Sequence, residues 1–213
     1  MTTTQIIAKQ GWLGALILLI AFLLMVFFDW DSAALILFIA LVLWLVMFRN
    51  PERIPSSEEE NVFVSPVDGI VRDINVGNAE IRILIETRFI DVGVIRAPCD
   101  VLQSKCYEKK GLSLTYCSKD KREVLNAFME FESLQNRAFS MKFYPIFFSS
   151  SELFISDNLD MGERIGFMKA GMTHIIIPLK GKKSTQSSEV EIKVGIGDRV
   201  RALQSVIGYF HEV

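Results

Sequence analysis

Two uncharged runs near the N-terminus constrain this chain more than any other feature. Gly11 to Phe28 and Ala33 to Phe48 contain no ionisable side chain, and only Asp29-Trp30-Asp31-Ser32 separates them. A backbone in hydrocarbon must satisfy its own hydrogen bonds, so such runs cross as helices. At 1.5 Å per residue each reaches about 24–27 Å, a little under the roughly 30 Å hydrocarbon layer. The expectation is an N-terminal α-helical transmembrane hairpin over residues 1–50. A half-inserted, re-entrant hairpin is one alternative and a cleaved signal peptide another. Against the signal peptide, no small-residue cleavage site follows the first run, and a second apolar run comes directly behind it.

The flanks predict orientation. Lys9 precedes the first run and Arg49 and Arg53 follow the second, whereas the connecting turn carries only Asp29 and Asp31. The positive-inside rule then places both outer ends, and the bulk of the chain, on the cytoplasmic side of the inner membrane. Trp12, Trp30 and Trp44 lie near the run ends, as interfacial aromatics do.

Beyond the hairpin the pattern changes. FRNPERIP, Phe48 to Pro55, has two prolines that disfavour helix in the residues before them, so residues 51–62 form a linker, with the acidic Ser56 to Glu60 solvated. From Phe63 short apolar segments alternate with glycines and other turn residues: Phe63-Val64, Gly69-Ile70-Val71, Ile81 to Ile85, and Val92, Val94 and Ile95. Residues 63–213 should therefore be a mainly β (α+β) soluble domain, large enough for its own core. Asn126 to Leu134 fits a short helix, Met141 to Phe154 one or two strands, and Lys180 to Ser188 a hairpin loop. A net charge of -2 supplies no basic field for nucleic acid. Cys99, Cys106 and Cys117 lack metal-ligand spacing, so no metal site is expected, and their odd number suits a reducing compartment. Lys105, Lys109, Lys110, Lys119, Lys121 and Arg122 make one segment cation-rich; a solvated loop and a contact with anionic lipid headgroups both fit it.

Gly162 to Pro178, GERIGFMKAGMTHIIIP, carries the most chemistry. A polar turn at Gly162-Glu163-Arg164 leads into an apolar run, a second break is expected at Gly171, and Ile175-Ile176-Ile177 then runs to Pro178. Met172 follows the second glycine.

Taken in order, FRNPERIP after an apolar hairpin, SPVDGIV at Ser65 to Val71, DVGVIRAP at Asp91 to Pro98, QNR at Gln135 to Arg137, GERIGFMKAG and VGIGDRVRALQSVIG resemble the phosphatidylserine decarboxylase family in its short form. The resemblance covers nearly the whole chain. It implies a β-rich domain related to barrel-sandwich hybrids, membrane phospholipid as the partner, and a pyruvoyl group made from the chain itself. In that family a serine hydroxyl after a glycine attacks the glycine carbonyl. The resulting ester is cut by β-elimination, and the serine remnant becomes the pyruvoyl terminus.

This sequence departs from that pattern where the chemistry is most demanding. The family's Gly-Ser is Gly171-Met172 here, and a thioether has no proton to lose and cannot form the ester. The histidine of the family's DVHVNR motif is replaced by Gly93 and its asparagine by Ile95, so that of the Asp, His and Ser set only Asp68 survives. Thr173 and His174 are the nearest substitutes, although strand alternation turns Thr173 to the face opposite Met172, and a strand histidine is ordinarily just packed or solvated. Asp68 before Gly69 also suits a plain turn. No intact catalytic set and no formable pyruvoyl cofactor are expected.

The implied protein is a membrane-anchored pseudoenzyme with a phospholipid-binding or partner-subunit role, as a homo-oligomer or beside an active family enzyme. Restoring self-cleavage is expected to need a histidine at Gly93 as well as a serine at Met172. An active decarboxylase using non-standard residues is the alternative. A biotinyl/lipoyl-like membrane adaptor is another, because SPVDGIV and GDRVRALQSVIG resemble the two halves of such a domain. The chain lacks a DK-type or MKM-type carrier lysine.

Overall fold

The structure is a computed structural model that describes residues 6–57, 59, 61–107, 127–133, 138–147, 152–153, 158–179 and 189–211. The chain divides into two compact units, Met1–Glu52 and Arg53–Val213.

The first unit contains two apolar helices, α1 (Trp12–Phe27) and α2 (Asp31–Met47). They are joined by a tight turn in which Asp29 takes a left-handed φ of 57°, a conformation that Asp tolerates better than most residues. With its preceding turn the first helix, Lys9–Phe27, is long and apolar enough to cross a membrane, at a mean hydropathy of 2.3; the second is shorter. Small residues let the pair approach. Ala15 and Ala34 are buried, a Cβ on Gly14 would meet the Trp44 ring, and the Trp44 indole donates to Gly11 O at 2.9 Å. Many of the other apolar side chains on the two helices are exposed, among them Leu16, Ile17, Leu23, Leu35, Ile36 and Leu43.

Among the described residues the second unit contains thirteen strands. In chain order they are β1 (Val62–Val64), β2 (Gly69–Val76), β3 (Glu80–Thr87), β4 (Val94–Arg96), β5 (Val101–Tyr107), β6 (Ala127–Ser133), β7 (Ala138–Phe147), β8 (Glu152–Leu153), β9 (Arg164–Phe167), β10 (Ala170–Pro178), β11 (Glu189–Ile192), β12 (Arg199–Val200) and β13 (Val206–His211). A seven-stranded sheet runs β12-β2-β3-β10-β7-β6-β5, and two three-stranded sheets run β1-β13-β11 and β4-β9-β8. Every recorded pairing is antiparallel.

Alternation along the central strands explains the core. Ile81, Ile83 and Ile85 on β3, Met141 and Phe143 on β7, and Ile175 and Ile177 on β10 point to one face, where they pack with Phe63, Ile95, Ile165 and Phe210. The Phe63 ring meets Phe139 and Phe210 edge-on, with centroids at 5.1 and 5.6 Å, the geometry favoured by the ring quadrupoles.

Two expectations are corrected. The helix expected over Asn126 to Leu134 is a strand where described: Ala127–Ser133 is β6, held by ladders to β5 on one side and β7 on the other. Non-local pairing overrides a local propensity that is weak over seven residues. The break expected at Gly171 is also absent. The interruption between the two strands falls at Met168-Lys169, where the chain passes from one sheet to another, and Gly171 is the second residue of β10, beside a register irregularity at Ala170/Gly171. The glycine answers a close approach of backbones, described below, rather than a corner.

Candidate functional site

At the start of β10 the register places Met172 between Glu86 on β3 and Tyr144 on β7, and Glu86 in turn opposite Ile70 on β2. Met172 is 36% exposed, and Thr173, one residue on, is fully buried between Ile85 and Phe143. The alternation therefore turns the Thr173 hydroxyl into the core, where Oγ1 has no hydrogen-bond partner among the described residues. His174 returns to the Met172 face and packs on the Tyr144 ring at 4.7 Å. Gly171 is enclosed. A Cβ there would stand 2.9 Å from both Met168 Sδ and Pro145 Cα and closer still to Tyr144 O, so a larger residue would require β7 to move.

Asp68 sits at the same end of the sheet, in the turn that enters β2. Thr87, paired in register with Gly171, donates from Oγ1 to Asp68 O at 2.7 Å, which links that turn to the Gly171 peptide. The Asp68 carboxylate accepts three hydrogen bonds. Arg53 grips it fork to fork, Nη1 on Oδ1 and Nη2 on Oδ2 (2.7 Å), and Ala202 N adds a bond to Oδ1 at 2.8 Å. Arg53 Nη1 also reaches Ala202 O at 3.0 Å. The same arginine counts, on sequence, only as a positive flank in a proline-bounded linker. Nothing in its local sequence marks it as the partner of an aspartate fifteen positions on.

Gly93 is linked to the same region through Met168. Its carbonyl accepts from Met168 N at 2.7 Å, and Met168 in turn lies against Gly171. A Cβ at Gly93 would stand 2.9 Å from Met168 O and 3.0 Å from the Phe167 ring. The position that holds a histidine in the family pattern is thus closed by backbone as well as emptied of its side chain. Ile95 is fully buried in the core.

Two further groups, not singled out by sequence, surround this region. Asp91 is buried and accepts from Arg88 N (3.0 Å) and Arg88 Nε (3.4 Å) through Oδ2 and from Arg199 Nη2 (3.0 Å) through Oδ1. Lys169, also buried, donates from Nζ to Asp91 O at 2.9 Å and lies 5.8 Å from the Phe89 ring centroid. Asp68, Gly93, Gly171 and Met172 are therefore brought together through Thr87 and Met168, whereas Thr173 is turned away. Of the cationic segment, Lys105 is exposed on β5, and Lys109, Lys110, Lys119, Lys121 and Arg122 lie outside the described residues, as do Gln135 to Arg137 and Lys180 to Ser188.

The fold and site define a protein with an apolar helical N-terminus and a mainly antiparallel β unit, in which an enclosed glycine precedes a solvent-facing side chain near one buried aspartate. The comparisons give that class its family. The chain is 30% identical over 221 residues to a phosphatidylserine decarboxylase proenzyme of Symbiobacterium thermophilum, an alignment that covers 95% of each chain. It is 28% identical over 214 residues to a second such proenzyme, from Carboxydothermus hydrogenoformans, covering 92% of this chain and 84% of that one. No family model matches the chain. The chain belongs to the phosphatidylserine decarboxylase family.

The family's pyruvoyl group does not fit the residues present. It must arise from a side chain with an acidic hydrogen on the heteroatom next to Cβ, and the residue after Gly171 is a thioether.

Proposed function

We propose that this chain is a membrane-anchored member of the decarboxylase family that neither cuts itself nor decarboxylates, and that serves as a phospholipid-binding or partner subunit. One observation carries the reading: the residue after the enclosed Gly171 is Met172, and the adjacent hydroxyl, on Thr173, is buried on the opposite face. Two others support it. The carboxylate of Asp68 is held in an ion pair by Arg53 and bonded by Ala202 N, and Gly93 has neither a base nor room for one.

The anchor is α1 and α2 acting as two antiparallel spans, with both outer ends and the β unit on the cytoplasmic side. Support comes from the apolar surface of both helices and from Lys9, Arg49 and Arg53 against Asp29 and Asp31. The β unit is related to barrel-sandwich hybrids. Here SPVDGIV and GDRVRALQSVIG run side by side, with Arg199 and Val200 paired to Ile70 and Gly69, and with Ser65 bonded to Leu203 and Ser205 through its main chain. A phospholipid or an active family enzyme is the expected partner.

The relatives' shared name favours a second reading, an active decarboxylase built on other residues. Intact-mass measurement separates the two. One uncut chain of 24.2 kDa, with no carbonyl reactive to borohydride and no carbon dioxide released from phosphatidylserine, is expected. Two fragments meeting at Gly171/Met172, or a blocked 2-oxoacyl terminus at Thr173, would establish the active reading instead.

A further inference from the structure

We propose that the tip formed by Arg88, Phe89, Ile90 and Asp91, together with Arg199, is a contact surface for a bilayer that carries anionic headgroups. The inference rests on the membrane-associated reading above and concerns how the β unit itself meets lipid. The tip continues directly from Thr87, the cross-strand partner of Gly171, and so lies at the β10 N-terminal end of the central sheet. At its apex two large apolar side chains are exposed in succession, Phe89 at 39% and Ile90 at 60%. Ile146, exposed on β7 next to the Pro145 that pairs with Gly171, adds a third at the same end.

The flanking charge has the matching sign. Arg88 and Arg199 both bind the buried carboxylate of Asp91, from opposite oxygens, so two guanidinium groups share one negative charge. The nearest acid on β3, Glu86, is already paired with Arg72. Both arginines keep a large exposed fraction, at 38% and 60% of their side chains, and are fixed at the rim by an acid that solvent barely reaches. The backbone under the apex is held as well: Asp91 N bonds to Arg88 O at 2.9 Å, and Lys169 Nζ supports Asp91 O. A rigid turn that shows two apolar residues to solvent between pinned cations fits the layered chemistry of a bilayer surface, acyl chains under the apex and phosphates at the rim.

Photo-crosslinking of the full chain reconstituted in vesicles tests this. Benzoylphenylalanine replaces, one at a time, Ile90 at the tip, Val76 at the opposite end of the sheet, and Ile20 within α1. Val76, 64% exposed, is as accessible as Ile90, so exposure alone predicts equal lipid adducts at both. The expected result is a phospholipid adduct at Ile90 and none at Val76. With one net positive charge at the rim, the Ile90 yield should be about fivefold higher in phosphatidylserine-containing vesicles than in phosphatidylcholine alone, on roughly 1 kcal/mol per cation near the surface. Adduct at Ile20 without adduct at Ile90, or equal yields at Ile90 and Val76, overturns the proposal and leaves membrane anchoring intact. Equal yields at Ile90 in the two vesicle types overturn the role of the arginines. Absence of adduct at Ile20 defeats the anchoring reading separately.

Discussion

The guanidinium of Arg53 and the carboxylate of Asp68 meet fork to fork, with their side chains only 9% and 10% exposed. The one member of the family's Asp, His and Ser set that this sequence keeps is thereby tied to the segment that follows the apolar helices. Its oxygens accept from two guanidinium nitrogens and the Ala202 amide, which hold the carboxylate to Arg53 and to the segment that follows β12. In this chain the aspartate closes the β2 turn against β12.

Arg53→Ala should therefore act as a stability variant. It leaves a buried carboxylate without its counter-charge, which ordinarily costs about 3–5 kcal/mol. The combination Arg53→Gln with Asp68→Asn removes both charges while keeping an acceptor for Ala202 N, and should recover more than half of that loss. Denaturant unfolding of the detergent-solubilised chain measures both, and a single variant as stable as the parent would show the ion pair to be dispensable.

Gly171→Ala should destabilise the chain although no bond is cut there. The added methyl would stand 2.9 Å from Pro145 Cα and Met168 Sδ, and backbone is less forgiving than a side-chain end, so a cost of at least about 1–3 kcal/mol is expected. A neutral substitution would mean that the glycine is a relic of chemistry with no present structural task. The same unfolding measurement decides.

These two positions mark the limits of reading the sequence alone. The apolar runs, the strand alternation at Ile81 to Ile85 and Ile175 to Ile177, and the inward turn of Thr173 follow from periods of 3.6 and 2 that are local properties. The Arg53 pairing is not local: fifteen positions separate the partners, and a linker arginine looks like any other solvated charge. Gly171 was legible as special but for the wrong geometric reason, because a tight cross-strand approach and a corner leave the same glycine in the sequence. Gly93 was legible as a missing histidine. That its Cβ space is filled by Met168 O and Phe167 depends on the β4 and β9 pairing, which no spacing discloses.

Deleting residues 1–47 should convert an alkali-resistant membrane protein into one that salt releases. The full chain carries two apolar helices, the first long and apolar enough to cross a membrane, whereas the contact proposed for the remainder has only a small apolar apex and depends on cations whose attraction is screened within about 3 Å at 1 M salt. Fractionation with and without a salt wash, then at alkaline pH, checks this. A shortened chain that resists both washes would place the principal membrane contact in the β unit.

Met172→Ser supplies the hydroxyl that self-cleavage requires, on a side chain that already faces solvent rather than core. It should nevertheless leave almost all of the chain uncut, because the attack also needs a base, and removing a nucleophile or its base alone typically costs orders of magnitude in rate. Sequence logic expects Met172→Ser with Gly93→His to cut better. The structure revises that expectation: the histidine Cβ would press on Met168 O and the Phe167 ring, and Met168 is the residue packed against Gly171. The double variant should accordingly be less stable than Met172→Ser and cut no faster, unless the β4 and β9 pairing relaxes. Denaturing gels followed over hours, with intact mass to locate any new terminus, measure both rates. Efficient cleavage by Met172→Ser alone would show that a base other than residue 93 serves this bond, and His174, on the Met172 face beside Tyr144, would be the first residue to test.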